Sequence, residues 1–191
     1  MGKQGSFIKR LTDIIISIFV LLITSPILLI SAVAIKIESD GPVFFIQTRT
    51  GMGGQNFRMI KFRGMVNNAL SIGPELTQIN DPRITRVGKI LRRASIDEIP
   101  NFLNVIMGDM SIIGPRPEIT SITLNYSCDQ KKVFQFKPGI TGYSQVNGRQ
   151  MLSPEERVNM EIDYYKHESL LKDILILFLT IKVIITNKGN R

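Results

Sequence analysis

The chain has a single cysteine, Cys128, and a single histidine, His167, among 191 residues. An intramolecular disulfide is therefore excluded, a reducing compartment is permitted, and a zinc site built from Cys and His has too few ligands. Acidic residues are also scarce, with 16 Asp and Glu against 24 Lys and Arg, and tryptophan is absent. The resulting net charge of +8 and pI near 9.8 attract phosphate-rich partners, whether nucleic acid, anionic headgroups or a nucleotide. Charge alone does not choose among them. The sparse stacking aromatics argue against nucleic acid as a partner. No internal repeat or low-complexity run is present, and the length suits one domain plus an anchor.

One long uncharged run stands out. Residues 14–35, IIISIFVLLITSPILLISAVAI, give 22 positions without a charge, close to the ~20 needed to cross a hydrocarbon core as a helix. The run is too long for a signal-peptide core and lacks a small-residue cleavage site. Pro26 removes a backbone donor in its middle, which predicts a kink or break at Ser25-Pro26. Lys3, Lys9 and Arg10 flank one end; Lys36, Arg49, Arg58, Lys61 and Arg63 follow the other. Positive flanks prefer the cytoplasmic side, so both ends ask for the same face. A re-entrant hairpin answers that demand if the freed backbone groups find partners; a simple span is the alternative, and composition leaves the two level. Near the other terminus, residues 174–186 are apolar but short and interrupted by Lys182, which suits an interfacial helix with Lys172, Lys182 and Lys188 near headgroups, or else a core helix.

Between these segments, 43–48 and 57–62 are strand-like and flank Gly51, Gly53 and Gly54, the pattern of a hairpin rather than a phosphate loop, since no Gly-Lys-Ser/Thr follows. Residues 67–82 are polar and Pro/Gly-punctuated, an expected exposed loop. The spacing predicts a helix over 83–94, with Ile84, Val87, Ile90 and Leu91 inward and Arg86, Lys89, Arg92 and Arg93 largely elsewhere. A second helix is expected over 98–107, with Ile99, Phe102, Leu103 and Ile106 as its apolar face and Gly108 as its stop. Ser153-Pro154 opens a polar helix expected to run to 172.

Asp97 and Glu98 stand between the basic helix and the apolar one. Asp97 as N-cap of the second helix, with a solvent-facing Glu98, is the bland reading. The chemical reading uses the same geometry: a carboxylate at a helix start, with cations beside it to mask a diphosphate's charge, can attack phosphorus. Arg92, Arg93 and Arg116 are the nearest cations by sequence, though any one of them is ordinarily a solvated surface charge.

The stretch SIDEIPNFLNVIMGDMSIIGPRPE at 95–118 resembles the signature of the bacterial sugar transferase family, the monotopic phosphoglycosyl transferases. The likeness continues through KRLTDIII at 9–16, TSP at 24–26, GPVFFIQTRTG at 41–51, KFRGM at 61–65, DPRITRVGKILRR at 81–93 and KPGITGYSQVNGR at 137–149. It implies an α+β architecture. Residues 1–37 would form a re-entrant helix-break-helix anchor turned by Ser25-Pro26. Residues 38–191 would form a cytoplasmic-face catalytic domain with a β-hairpin and interfacial amphipathic helices, on the bacterial inner membrane. It further implies that Asp97 attacks the β-phosphorus of a UDP-sugar and releases UMP. Polyprenol (undecaprenyl) phosphate would then accept the sugar phosphate. Glu98 would complete the dyad and, with Asp97, help hold Mg²⁺; Lys61, Arg92, Arg116 and Arg149 become candidate phosphate contacts. With no long multi-span extension, the chain resembles the small members. Gly64, Tyr143-Ser144 and Glu161 depart from the family's usual small hydroxyl, aromatic-Ala and Asp, so the sugar pocket stays unassigned. Which sugar is carried and whether the chain forms a homodimer also stay open. A non-catalytic basic membrane module and a nucleotide-sugar hydrolase are the competing classes.

Overall fold

The computed structural model describes residues 7–78, 80–148, 152–167 and 169–186. A small mixed α/β domain carries a long N-terminal apolar helix and two small sheets. Helix α1 (Phe7–Glu38) leads into strands β1 (Phe44–Thr50) and β2 (Asn56–Phe62), then α2 (Ala69–Ile72), α3 (Arg86–Arg93), α4 (Asn101–Met107) and β3 (Ser111–Ile113). There follow α5 (Thr120–Thr123), β4 (Gly139–Thr141), α6 (Tyr143–Asn147), α7 (Pro154–Lys166) and α8 (Leu170–Thr186). The expected hairpin forms in antiparallel register from Phe44 opposite Phe62 to Thr50 opposite Asn56. Strands β3 and β4 pair in parallel, Ser111 beside Gly139 and Ile113 beside Thr141.

Helix α1 is long and apolar enough to cross or enter a membrane, and only 11% of its most apolar window is buried, which rules out an ordinary core helix. Helical structure continues through Ser25-Pro26. Pro26 lacks the N–H that would reach the Leu22 carbonyl, and the Ser25 hydroxyl donates to that carbonyl instead, at 2.8 Å. Thr24 donates likewise to Val20, at 2.7 Å. Such back-bonding bends helices.

Both ends of α1 dock on the domain. Near its start, Arg10 donates to the carbonyls of Val105 and Ile106, satisfying the last turn of α4. One turn on, the buried carboxylate of Asp13 accepts from the Ser111 hydroxyl at 2.7 Å. At its other end, Ile35 packs with Phe62 and Leu91, and Glu38 accepts from the backbone N–H groups of Arg86 and Val87 at 2.7 and 3.0 Å. Helix α1 thus caps α3 from outside, alongside the Thr85 N-cap.

The main core joins Phe57, Met59, Val105, Met110, Ile112, Ile113, Tyr164, Tyr165 and Ile176. Several helix faces differ from their apolar pattern. In α3, Leu91 is buried but Ile90 is 65% exposed. In α4 the buried face is Asn101, Asn104 and Val105, while Leu103 is exposed. The reason is polar: Asn104 accepts from the Ile60 N–H at 3.0 Å and donates to the Arg58 carbonyl at 2.8 Å, fastening α4 to the free edge of β2. Gly108 ends α4 in the left-handed region at φ 101°, the expected stop. The loop over 67–82 is not simply exposed: the buried Arg83 guanidinium bonds Asp81 and the carbonyls of Ala69 and Pro74, gathering it around α2.

The helix expected over 153–172 ends at Lys166, and though polar in composition it buries one face. Ser153 and Glu156 form a capping box with Pro154 in the first turn, but Val158, Glu161, Ile162, Tyr164 and Tyr165 are buried. Helix α8 buries Ile176 and leaves Leu171, Leu175, Phe178, Ile181 and Ile185 exposed, with Lys172 and Lys182 exposed beside them. Lys188 lies outside the described residues.

Candidate active site

Helix α3 ends in Arg92 and Arg93 and hands over through Ala94 to Ser95, whose φ of 56° puts it in the left-handed region. That reversal launches a single 3-10 turn, Ile96–Glu98, which presents Asp97 and Glu98. The expectation that Asp97 caps the next helix is not met. Pro100 occupies the start of α4 without a side-chain cap, because the turn's own bonds, such as Ile99 N–H to the Ile96 carbonyl, already occupy this stretch. The acidic pair therefore depends on side-chain cations, not on a helix terminus.

Glu98 does not face solvent. Its Oε1 accepts from Lys61 Nζ at 2.8 Å and from Arg116 Nη2 at 3.2 Å. Lys61 comes from the end of β2 and Arg116 from the Pro115-Arg116-Pro117 loop after β3, so two distant segments meet on one carboxylate oxygen. Burial would raise the Glu98 carboxyl, but the charges of Lys61 and Arg116 outweigh it and hold it well below the usual range. Asp97 moves the other way: burial raises it, and the Glu98 charge adds to the rise, while Lys61, Arg92 and Arg116 partly offset both. Burial lowers the Lys61 ammonium, with Glu98 opposing, and the Glu98 charge raises Arg116. Two adjacent carboxyls with opposite shifts imply a division of labour: Glu98 fixed as an anion between cations, and Asp97 the more basic and the less tied.

Arg92 acts on Asp97 through its charge and donates to Thr77 at 3.3 Å. A side chain at Gly64 would come within 3.1 Å of Arg92 Nε, so the glycine leaves that guanidinium its room. Arg149 falls outside the described residues. Arg49 belongs to the site although its sequence context marks it only as part of a basic stretch. It donates to Gln47 at 2.7 Å and to the Pro117 carbonyl at 3.3 Å, and burial together with the Arg116 charge lowers it to about 10. The signal that would have found it is the hairpin register. Lys61 pairs with Phe45, so the period of two puts Gln47 and Arg49 on the face of Lys61.

Among the described residues there is no cluster of three or more metal-ligating side chains. Asp97 and Glu98 nonetheless suit Mg²⁺, which is commonly held by one or two carboxylates plus substrate phosphates. Glu98 has one oxygen committed to cations, which leaves its other oxygen and the Asp97 carboxylate.

A tight acidic turn ringed by Lys61, Arg92 and Arg116 can gather phosphate groups, and the domain that carries it is fastened to a long apolar helix consistent with membrane association. Residues 4–187 match the family described as bacterial sugar transferase, and the chain belongs to that family. It is 43% identical over 194 residues to the UDP-N-acetylgalactosamine-undecaprenyl-phosphate N-acetylgalactosaminephosphotransferase of Aeromonas hydrophila, covering 97% of this chain and 45% of that protein. It is 41% identical over 198 residues to the UDP-glucose:undecaprenyl-phosphate glucose-1-phosphate transferase of Escherichia coli (strain K12), covering 99% and 42%. It is also 37% identical over 182 residues to the uncharacterized sugar transferase EpsL of Bacillus subtilis (strain 168), covering 95% and 89%. The chain thus spans less than half the length of the first two and most of the third.

Proposed function

We propose that this protein is a phosphoglycosyl transferase that moves a sugar phosphate from a UDP-sugar to undecaprenyl phosphate, the first membrane step in building a bacterial polysaccharide. The observation that carries this reading is the Asp97–Glu98 turn, where one carboxylate is spent on Lys61 and Arg116 and its neighbour is raised and poised. The names of the Aeromonas and Escherichia relatives support the substrate classes.

In the first step an Asp97 carboxylate oxygen attacks the β-phosphorus. The bond from that phosphorus to the bridging oxygen breaks, and UMP departs with the electron pair. A raised pKa makes Asp97 a better nucleophile than an ordinary carboxylate, while the surrounding cations keep it ionised. Arg116 and Lys61 stand where the charge of the diphosphate must be masked. In the second step a phosphate oxygen of the lipid attacks the same phosphorus and the Asp97 carboxylate is released, giving undecaprenyl diphosphate sugar. Asp97 and Glu98 would hold Mg²⁺, which when bound supplies further neutralisation of the diphosphate.

Helix α1 is a re-entrant anchor in this reading, entering and leaving one leaflet of the cytoplasmic membrane around Ser25-Pro26. Two facts support it: Arg10 and Glu38, at opposite ends of the helix, both bond the same domain, and a straight span would separate them by ~30 Å of hydrocarbon. The exposed apolar face of α8 would lie along the headgroups. The acidic turn then sits level with a lipid phosphate, whose effective concentration is raised by confinement to two dimensions. The test is to incubate the purified chain with radiolabelled UDP-sugars, Mg²⁺ and undecaprenyl phosphate. UMP release with label in the lipid, lost in Asp97→Asn, is expected. Label lost to water with or without the lipid would make the protein a hydrolase, and an active Asp97→Asn would remove the nucleophile.

A further inference from the structure

The Pro115-Arg116-Pro117 loop is fastened on both sides of its cation. Gly139 N–H donates to the Pro115 carbonyl at 2.9 Å, and on the other side Thr50 N–H donates to the Glu118 carbonyl at 3.1 Å. Arg49 and Ile119 pair as an isolated antiparallel bridge, and Arg49 Nη1 donates to the Pro117 carbonyl. The end of β1 thus holds the residue that follows Arg116, and Arg116 reaches Glu98 from a loop that its two prolines stiffen.

Holding a carbonyl needs only a neutral donor, such as an amide. A guanidinium in that place is costly. Both hydrogen-bond acceptors of Arg49, the Pro117 carbonyl and the Gln47 amide oxygen, are neutral, and its Nε is buried with no partner among the described residues. Its charge opposes those of Arg116 and Lys61. The carboxylates whose fields reach it are bonded to other groups: Glu98 to Lys61 and Arg116, Glu118 to Arg157 at 3.1 Å, and Glu75 to the Ser121 hydroxyl at 2.7 Å. Among the described residues, Glu98 is therefore the one carboxylate bonded to any of Arg49, Lys61 and Arg116. Crowded cations of this kind repel one another until a multivalent anion arrives, which is the electrostatics of a functional site. We propose that Arg49 is a positioning residue for the diphosphate. Acting through Arg116, it sets that residue's loop and adds a like charge behind it, so that a phosphate group at Arg116 is held more tightly than Arg116 and Lys61 alone would hold it. The inference rests on the transferase reading, which supplies the diphosphate.

The experiment measures equilibrium binding of UMP and of uridine, which lacks the phosphate, to the full chain and to Arg49→Gln and Arg49→Lys, together with thermal midpoints. In Arg49→Gln, UMP is expected to bind about tenfold more weakly with uridine unchanged, at a midpoint no lower than that of the wild type, because a repelled cation has gone. Arg49→Lys keeps the charge on a group that can lose its proton. Its UMP affinity is expected to stay within about threefold of the wild type at about pH 7, and the ratio of the two affinities to fall from about pH 8 to about pH 10, since Arg116 and burial depress the introduced ammonium. A merely structural Arg49 gives a lower midpoint and weaker binding of both ligands in Arg49→Gln, and a pH-independent ratio in Arg49→Lys. Either result overturns the proposal, as does full UMP affinity in Arg49→Gln. If Arg49→Gln fails to fold, the pH dependence of Arg49→Lys decides. Wild-type turnover of UDP-sugars is measured separately: its absence counts against the transferase reading, whereas turnover by a protein whose UMP affinity ignores the charge at position 49 sinks only this proposal.

Discussion

Glu98→Gln removes the one negative charge that Lys61 and Arg116 both touch. At the observed separations of 2.8 and 3.2 Å, and with an effective dielectric constant near ~20, the two attractions are worth about 6 and about 5 kcal/mol before desolvation is charged against them. The three side chains are 16, 22 and 28% exposed, so solvent and the lost hydration of the ions take back much of this. Breaking a fully buried pair costs ~3–5 kcal/mol and an exposed one less than ~1. We expect a loss of about 2–3 kcal/mol for this half-buried triad, seen as a thermal midpoint lower by roughly 5–10 °C. The pH dependence fixes the sign. Glu98 is held below its ordinary 4.5, so its contribution is fully present above that value, declines below it and is lost as pH falls through the lowered folded value; the two proteins should converge in stability in strong acid. A second readout is independent of folding. The Glu98 charge helps raise Asp97, so the acid limb of UMP release should move to lower pH in Glu98→Gln even as turnover falls. A limb that stays put or moves upward, with an unchanged midpoint, would refute the division of labour between the two carboxyls.

Asp97→Asn should abolish lipid-linked label yet raise the thermal midpoint near neutral pH. A carboxyl raised in the fold favours folding below its ordinary pKa and loses that advantage as pH rises, so the neutral amide is the better tenant; a lower midpoint would count against it. Gly88→Ala should cost several-fold in folded yield, because a methyl there runs into the Gly64 carbonyl and pushes α3 off the loop beside Lys61; full yield and activity would contradict the packing. Asp13→Ala removes the acceptor for Ser111 and Ile112, and a loss of about 2 kcal/mol in stability is expected by denaturant titration in detergent.

Some of this protein is fixed by local chemistry and therefore readable along the chain. An uncharged run of this length needs no partner to declare itself, and the glycine-punctuated hairpin, the Gly108 stop and the Ser153 capping box are all settled within a few residues of sequence. Asp97, Glu98, Lys61, Arg92 and Arg116 could be named as candidates by residue type, by position and by family likeness. Tertiary structure decided how they work. Glu98 becomes an anion locked between cations only because β2 and the Pro-Arg-Pro loop, remote in the chain, arrive at one oxygen. Asp97 is not a helix cap because the turn before Pro100 closes on itself. Helix α4 buries Asn104 in place of its more apolar neighbours because an open strand edge offers bonds that no periodicity encodes. Ser144 and Glu161, two departures from the family pattern lying 17 positions apart, become a buried bonded pair. Local propensities act over a turn or two, whereas the electrostatics of a site depend on which distant charges the fold brings within a few ångströms.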